Sequence, residues 1–318
     1  MRNVLVDQDC AAITMIEVKQ LTKQYGNRLA VDHISFKAKQ GEIVALLGPN
    51  GAGKTTTMRM LTGFLPPTDG RASIAGHDIL ENSIEARRSV GYLPERVPIY
   101  PDMTVYGYLA FWAKLRGIRS PRRAVRAVLE RVQLADRQQT LVRNLSKGMR
   151  QRLGLAQALV HNPPVIILDE PTIGIDPQQV IEVRETVRQL GQDHTVLFST
   201  HLLNEAEQVC DRVVIISKGR IVAQGNPTEL RRKLQPEMHI YIALGGKQSE
   251  SERMLRAIPG VEAVESEGEG FNVRVKKGVD IRKELIDRAL HAGFTIHEMR
   301  PVMLTLENIF LDIVGKES

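Results

Sequence analysis

The chain is poor in cysteine and in aromatic residues: of 318 residues, two are Cys, one is Trp, and aromatics make up 4%. Cys10 and Cys210 lie far apart and form neither a zinc spacing nor a disulfide framework, which fits a reducing cytoplasm and excludes small disulfide-stapled secreted folds. No apolar run approaches the ~18 residues needed to cross a bilayer. The longest, Glu42–Leu47, Val165–Leu168 and Val213–Ile216, are short, rich in β-branched residues and bounded by turn formers, so they read as buried parallel strands. The N-terminus carries Asp7 and Asp9 and no long apolar core, so no secretory leader is expected. Internal repeats and low-complexity segments are also missing. With 42% hydrophobic and 25% charged residues, the composition is that of an ordinary globular protein, and the length suggests two domains.

The formal net charge is +6, but it is unevenly distributed. Residues 236–318 hold 11 Lys+Arg against 14 Asp+Glu, so the basic excess belongs to the preceding part. Attraction to a nucleotide or to an anionic membrane face would explain it, and so would a solvated helix face.

One stretch organises that basic part: Gly48-Pro49-Asn50-Gly51-Ala52-Gly53-Lys54-Thr55-Thr56, between a buried strand and a helix expected from Lys54. It matches G-x-x-x-x-G-K-[ST]. Gly48, Gly51 and Gly53 let the backbone curl until successive N–H groups face phosphate oxygens, and the helix adds its positive dipole end. Lys54 would reach the β and γ phosphates of ATP, and the Thr55 hydroxyl would ligate Mg²⁺. An ordinary glycine turn is the competing account, disfavoured by the strand and helix on either side.

Val165-Ile166-Ile167-Leu168-Asp169-Glu170 is an apolar strand ending in two acids. Beside a phosphate loop, Asp169 can hold Mg²⁺ and Glu170 can polarise an attacking water. Upstream, Leu145-Ser146-Lys147-Gly148-Met149 opens a helix that Ser146 can cap. Strands alternating with helices over 15–235, and helical periods from about Tyr100 to Val160, argue for an α/β domain with an inserted helical piece. Leu109, Trp112, Ala113 and Leu115 carry one of these helical periods and Ala124, Val128, Leu129 and Val132 another. Gly225, Pro227 and Pro236 then mark a boundary, after which the order is β-α-β-β-α-β and a last helix, Thr305–Val314.

Taken together, these motifs resemble the nucleotide-binding subunit of an ABC transporter over about Met15 to Gly225. In that resemblance Tyr25 is the aromatic that stacks on adenine, Gly48–Thr56 is Walker A, and Leu145–Met149 is the signature, with Ser146 and Gly148 contacting nucleotide. Leu168–Glu170 is Walker B with catalytic Glu170, Ile173–Asp176 is the D-loop, and His201 is the switch histidine. The resemblance implies ATP and Mg²⁺ as cofactors, catalytic roles for Lys54, Glu170 and His201, and metal contacts from Thr55, Asp169 and Glu95. It implies a dimer (two copies, or a paired ATPase subunit) with each ATP between one Walker A and the opposite signature.

Two positions depart from the commonest pattern. Glu95 stands where the family usually holds a Gln that touches Mg²⁺, and Lys147 and Met149 replace Gly and Gln in the signature. Both variants resemble the ABC-2 exporters of drugs, polysaccharides and gliding motility, whose ATPases also carry a small appended domain. The expected architecture is therefore a 1–14 tail, an ABC-type P-loop domain over 15–235 with a helical subdomain at about 96–160, and a ferredoxin-like α+β domain at 236–318. The expected function is ATP hydrolysis at the cytoplasmic face of the membrane, powering an integral permease, with no nucleic-acid partner. The alternative is a soluble ABC ATPase regulating a non-transport process, which usually has two ATP domains or a long coiled coil. Six of the 14 aromatics fall within Tyr92–Trp112, either as a permease contact or as packing of the helical piece.

Overall fold

The computed structural model describes residues 13–234, 238–276 and 279–302. Residues 1–12 of the expected tail and the expected helix Thr305–Val314 lie outside the described residues. By packing, the chain divides into Met1–Pro227 and Thr228–Ser318, so Thr228–Leu234, assigned by sequence to the first domain, groups with the second.

The first unit opens with β1 (Thr14–Tyr25) and β2 (Arg28–Lys39), two long antiparallel strands joined through a turn in which Gly26 has φ 55°. Their alternating pattern buries Ile16, Val18 and Leu21 against Ile34, Phe36 and Ala38. The short strand β3 (Ile43–Leu47) and helix α1 (Lys54–Leu61) follow, then β4 (Asp69–Ile74) and β5 (His77–Asp78). β1, β2, β4 and β5 make one antiparallel sheet in the order β2–β1–β4–β5. Polar residues on the outer face of β1 and β2 interrupt the apolar pattern without interrupting the pairing.

Next come α2 (Ser83–Arg88) and β6 (Val90–Leu93), then three helices, α3 (Val105–Leu115), α4 (Pro121–Arg131) and α5 (Lys147–Leu159). Leu109 and Ala113 are fully buried in α3, but Leu115 is 63% exposed at its end; in α4 Val125, not Ala124, is fully buried with Val128 and Leu129. Neighbouring helices, rather than apolar spacing along the chain, fix which side of each helix is covered. The unit ends with β7 (Val165–Leu168), α6 (Pro177–Leu190), β8 (Thr195–Thr200), α7 (Leu203–Val209), β9 (Arg212–Ser217) and β10 (Arg220–Gly225).

The second sheet runs β10–β9–β3–β8–β7–β6, parallel except for β10. Every residue of β3, β7 and β8 is buried, as expected of strands covered on both faces. Their register sets Leu47 beside Thr200 and Leu168 beside Phe198. The segments after β3, β7 and β8 therefore emerge side by side at the carboxyl edge, where open parallel sheets bind ligands.

The second unit contains α8 (Pro227–Leu234), β11 (Met238–Gly245), α9 (Gln248–Arg256), β12 (Val261–Glu267), β13 (Gly270–Val275), α10 (Arg282–His291) and β14 (Thr295–Val302). Its antiparallel sheet runs β12–β13–β11–β14, so each βαβ half is split by a strand of the other. Ile240, Ile242, Leu255, Phe271, Val273 and Leu285 form a core of its own.

Candidate active site

The turn after β3 needs its glycines for different reasons. Gly51 and Gly53 have φ of 79° and 111°, and a Cβ on Gly53 would lie 2.6 Å from the Ala30 carbonyl oxygen. Gly48 has an ordinary φ, but a Cβ there would meet the Ile216 carbonyl oxygen at 2.3 Å. α1 has Gly53 at its N-cap and no side-chain cap, so its first-turn N–H groups are left for a ligand. Lys54 is 5% exposed and bridges the loop: its Nζ donates to the Gly48 and Pro49 carbonyls at 2.7 and 3.2 Å and lies 3.2 Å from Glu170 Oε1.

Opposite, Asp169 and Glu170 leave the end of β7. Thr55 Oγ1 donates to Asp169 Oδ1 at 3.1 Å, and Ser199 Oγ, from β8, donates to the same oxygen at 2.7 Å. Burial pushes the Asp169 carboxyl above the usual carboxylate range, against the lowering effect of these hydroxyls, and the charges of Glu170 and Glu95 add to the rise. Glu170 has φ 48°, a left-handed conformation uncommon outside glycine. Ser199 Oγ accepts its backbone N–H at 2.9 Å and so holds that geometry. His201 Nδ1 stands 2.9 Å from Glu170 Oε2, completing a line Lys54–Glu170–His201.

These groups border a pocket of about 520 Å³ lined by Tyr25, Asn50, Gly51, Gly53, Lys54, Thr55, Thr56, Glu95 and Glu170, with Arg28, Ala30 and Ile173. Of the expected residues, Gly48, Pro49, Ala52, Asp169 and His201 do not line it; Gly48 and Pro49 bond Lys54, Asp169 bonds Thr55 and His201 bonds Glu170. Ser146 and Gly148 are not in this chain's pocket. Ser146 caps α5, its Oγ accepting the Met149 N–H at 3.2 Å, and Gly148 sits where a Cβ would come within 1.4 Å of Gln179 Oε1. Arg28 and Ser199 were missed as site residues. Arg28 lies on β2, far from the loop in sequence, and no motif marks it. Ser199 adjoins the histidine motif, but its role depends on the β7–β8 pairing.

The oxygen donors fit a magnesium ion. Thr55 and Asp169 present a hydroxyl and a carboxyl oxygen side by side, as hard cations require. Among the described residues no three His, Cys, Asp or Glu side chains gather into a metal cluster, so phosphate and water oxygens would fill most of the shell. Glu95 lines the pocket without joining Asp169 and Glu170 in such a group.

A glycine loop opening a helix, an acidic strand end and a histidine just past the end of the adjoining strand define a P-loop ATPase. A family model described as ABC transporter matches residues 31–173, and one described as ATP-binding protein DrrA1-3-like, C-terminal domain, matches 225–314. The chain is 33% identical over 310 residues to the linearmycin resistance ATP-binding protein LnrL of Bacillus subtilis (strain 168), covering 95% of this chain and 99% of that protein. It is 42% identical over 213 residues to the bacitracin transport ATP-binding protein BcrA of Bacillus licheniformis, covering 66% and 69%. A solved structure of an ATP-binding subunit of an ABC transporter matches with TM-score 0.63 and 33% identity, covering 69% of this chain and 93% of that one. The chain belongs to the ATP-binding subunits of ABC transporters of the ABC-2 exporter type, and it is an ATP hydrolase of that family. Subunits of this family dimerise and work with membrane permeases. Among the described residues no helix is long and apolar enough to cross a membrane.

Proposed function

We propose that this subunit hydrolyses Mg-ATP at the inner face of the cell membrane and powers export through a separate integral permease, acting as a homodimer or with a paired ATPase subunit. The observation that carries the catalytic part is the line Lys54–Glu170–His201 at the edge of the nucleotide pocket, with Lys54 and Glu170 buried and His201 exposed. In this reading Lys54 turns from Glu170 to the phosphates when ATP enters. The freed Glu170 accepts a proton from water, and His201 holds Glu170 and that water in line. Magnesium, held by Thr55 and Asp169 with Glu95 nearby, would neutralise phosphate charge. Tyr25, 46% exposed and lining the pocket, with Lys23 Nζ 5.5 Å from its ring centroid, would stack on adenine. Ser146 and Gly148, outside this pocket, would serve the nucleotide of the opposing subunit.

The permease reading is supported by a groove of about 730 Å³ on the same unit, lined by Phe64, Ile84, Tyr92, Trp112 and Leu115 with Arg87, Arg88 and Arg116. Phe64, Ile84 and Leu115 are 72%, 54% and 63% exposed, an apolar patch rimmed by cations of the kind that marks a protein interface. The aromatic stretch divides between the two accounts. Tyr108 is fully buried, within 6.0 and 6.4 Å of Tyr100 and Trp112, while Trp112 and Tyr92 wall the groove. The printed name of the bacitracin transport relative favours this reading over a non-transport role.

The test is Glu170→Gln. Loss of a general base costs about 10²–10⁴-fold in rate, so turnover should fall by that factor while ATP stays bound. Affinity should hold or rise, because the neutral amide no longer competes for Lys54. A variant that hydrolyses ATP at the parent rate would remove Glu170 from the chemistry.

A further inference from the structure

A second carboxylate lies behind the first. Glu205, in α7, is 2% exposed and does not line the nucleotide pocket, yet three partners, from the segment after β7, from β8 and from α6, converge on it. Its Oε2 accepts the Thr172 hydroxyl at 2.8 Å and the Thr200 hydroxyl at 2.9 Å. Arg184 Nη2, from α6, lies 3.5 Å from its Oε1. Thr172 follows Glu170 by two positions, and Thr200 immediately precedes His201.

Thr200 is bound on both sides of the histidine. While its hydroxyl proton goes to Glu205, its oxygen accepts the Leu202 N–H at 3.0 Å, and the Leu202 carbonyl accepts the Glu205 N–H at 3.2 Å. The turn carrying His201 is thus closed by Thr200 and anchored to α7 by Glu205. The same carboxylate oxygen anchors the segment that follows Glu170. A buried charge would be costly unless several donors shared it, and here they are two hydroxyls and a guanidinium.

We infer that Glu205 is a positioning residue: by tying the segments after β7 and β8 to one oxygen, it sets the spacing across which His201 meets Glu170. The inference rests on the proposed roles of Glu170 and His201. Glu205 reaches neither nucleotide pocket nor metal donors, so its loss should misplace the histidine without weakening ATP binding. Misplacement of a catalytic group by about 1 Å can cost ~10²-fold.

The experiment is steady-state ATP hydrolysis by the full chain carrying Glu205→Gln, alone and combined with His201→Ala. Glutamine keeps the shape, but it cannot offer carboxylate oxygens to the threonine hydroxyls and to Arg184 at once. The expected result is a kcat about 10- to 100-fold lower with KM within about twofold of the parent, and a double variant no slower than His201→Ala alone. An unchanged kcat, a rise in KM at constant kcat, or a loss that multiplies with that of His201→Ala would overturn the inference. If Glu205→Gln does not fold, the near-isosteric Thr200→Val, judged by the same readouts, decides it. Parent-like turnover in Glu170→Gln and His201→Ala would instead strike the underlying catalytic reading, separately from Glu205.

Discussion

Lys54 is held between the phosphate loop and the acidic strand end. An ammonium has three donors, and here they are answered by two loop carbonyls and Glu170. In the proposed reading a γ-phosphate would take the place of Glu170 on Lys54, so that ATP binding and release of the proposed base would be one event. Lys54→Ala should lose nucleotide affinity in equilibrium binding of a labelled ATP analogue, because a charge-assisted contact goes unreplaced. Glu95 tests the metal side of the same exchange. Its carboxylate lines the pocket and adds to the upward push on Asp169, so without a cation it opposes phosphate. Glu95→Gln should strengthen ATP binding measured in chelator while changing Mg-ATP binding little. An equal effect in both conditions, or none, would take Glu95 out of the metal environment.

At the scale of elements, strand pairing and helix ends bring these side chains into place. Ser199 on β8 donates to Asp169 and receives the Glu170 N–H, so one hydroxyl couples two strands and stabilises a left-handed glutamate. Just past α5, His161 makes a comparable tie, its Nε2 3.1 Å from the Val90 carbonyl of β6. Burial, helped by the Arg116 charge and opposed by that hydrogen bond, pushes the imidazole down to about 4. The unfolded chain takes up the proton near pH 6.5 while the fold keeps His161 neutral. The stability this provides is therefore complete above about 6.5 and lost as pH falls toward 4. Thermal melting between those limits should fall more steeply for the parent than for His161→Gln, whose amide can still meet Val90. Parallel curves would show that His161 does not carry that part of the acid sensitivity.

For the molecule as a whole, each packing unit has its own apolar core, and the pocket is built from residues between Tyr25 and Ile173. We propose that residues 236–318 serve assembly and take no part in ATP chemistry, since their sequence carries no phosphate motif. A chain ending at Leu234 should bind ATP as the full chain does, read by the same labelled analogue. A folded truncation that binds none would contradict this.

The phosphate loop, the acidic strand end and the histidine were legible in the sequence because their chemistry is local: glycine φ angles, a helix N-terminus and a run of β-branched residues need only neighbours along the chain. The β-α-β-β-α-β succession of the second unit was legible for the same reason. Contacts made across strands were not. Arg28 reaches the pocket through the β1–β2 hairpin, and Ser199 finds Asp169 through the β7–β8 register. Glu205 joins Thr172 to Thr200 only because α7 packs back on that edge, and the buried sides of α3 and α4 were set by neighbouring helices. Sequence spacing marked the groups proposed for the chemistry, and tertiary packing decided what holds them, because a hydrogen bond between residues 30 positions apart is invisible to any local pattern.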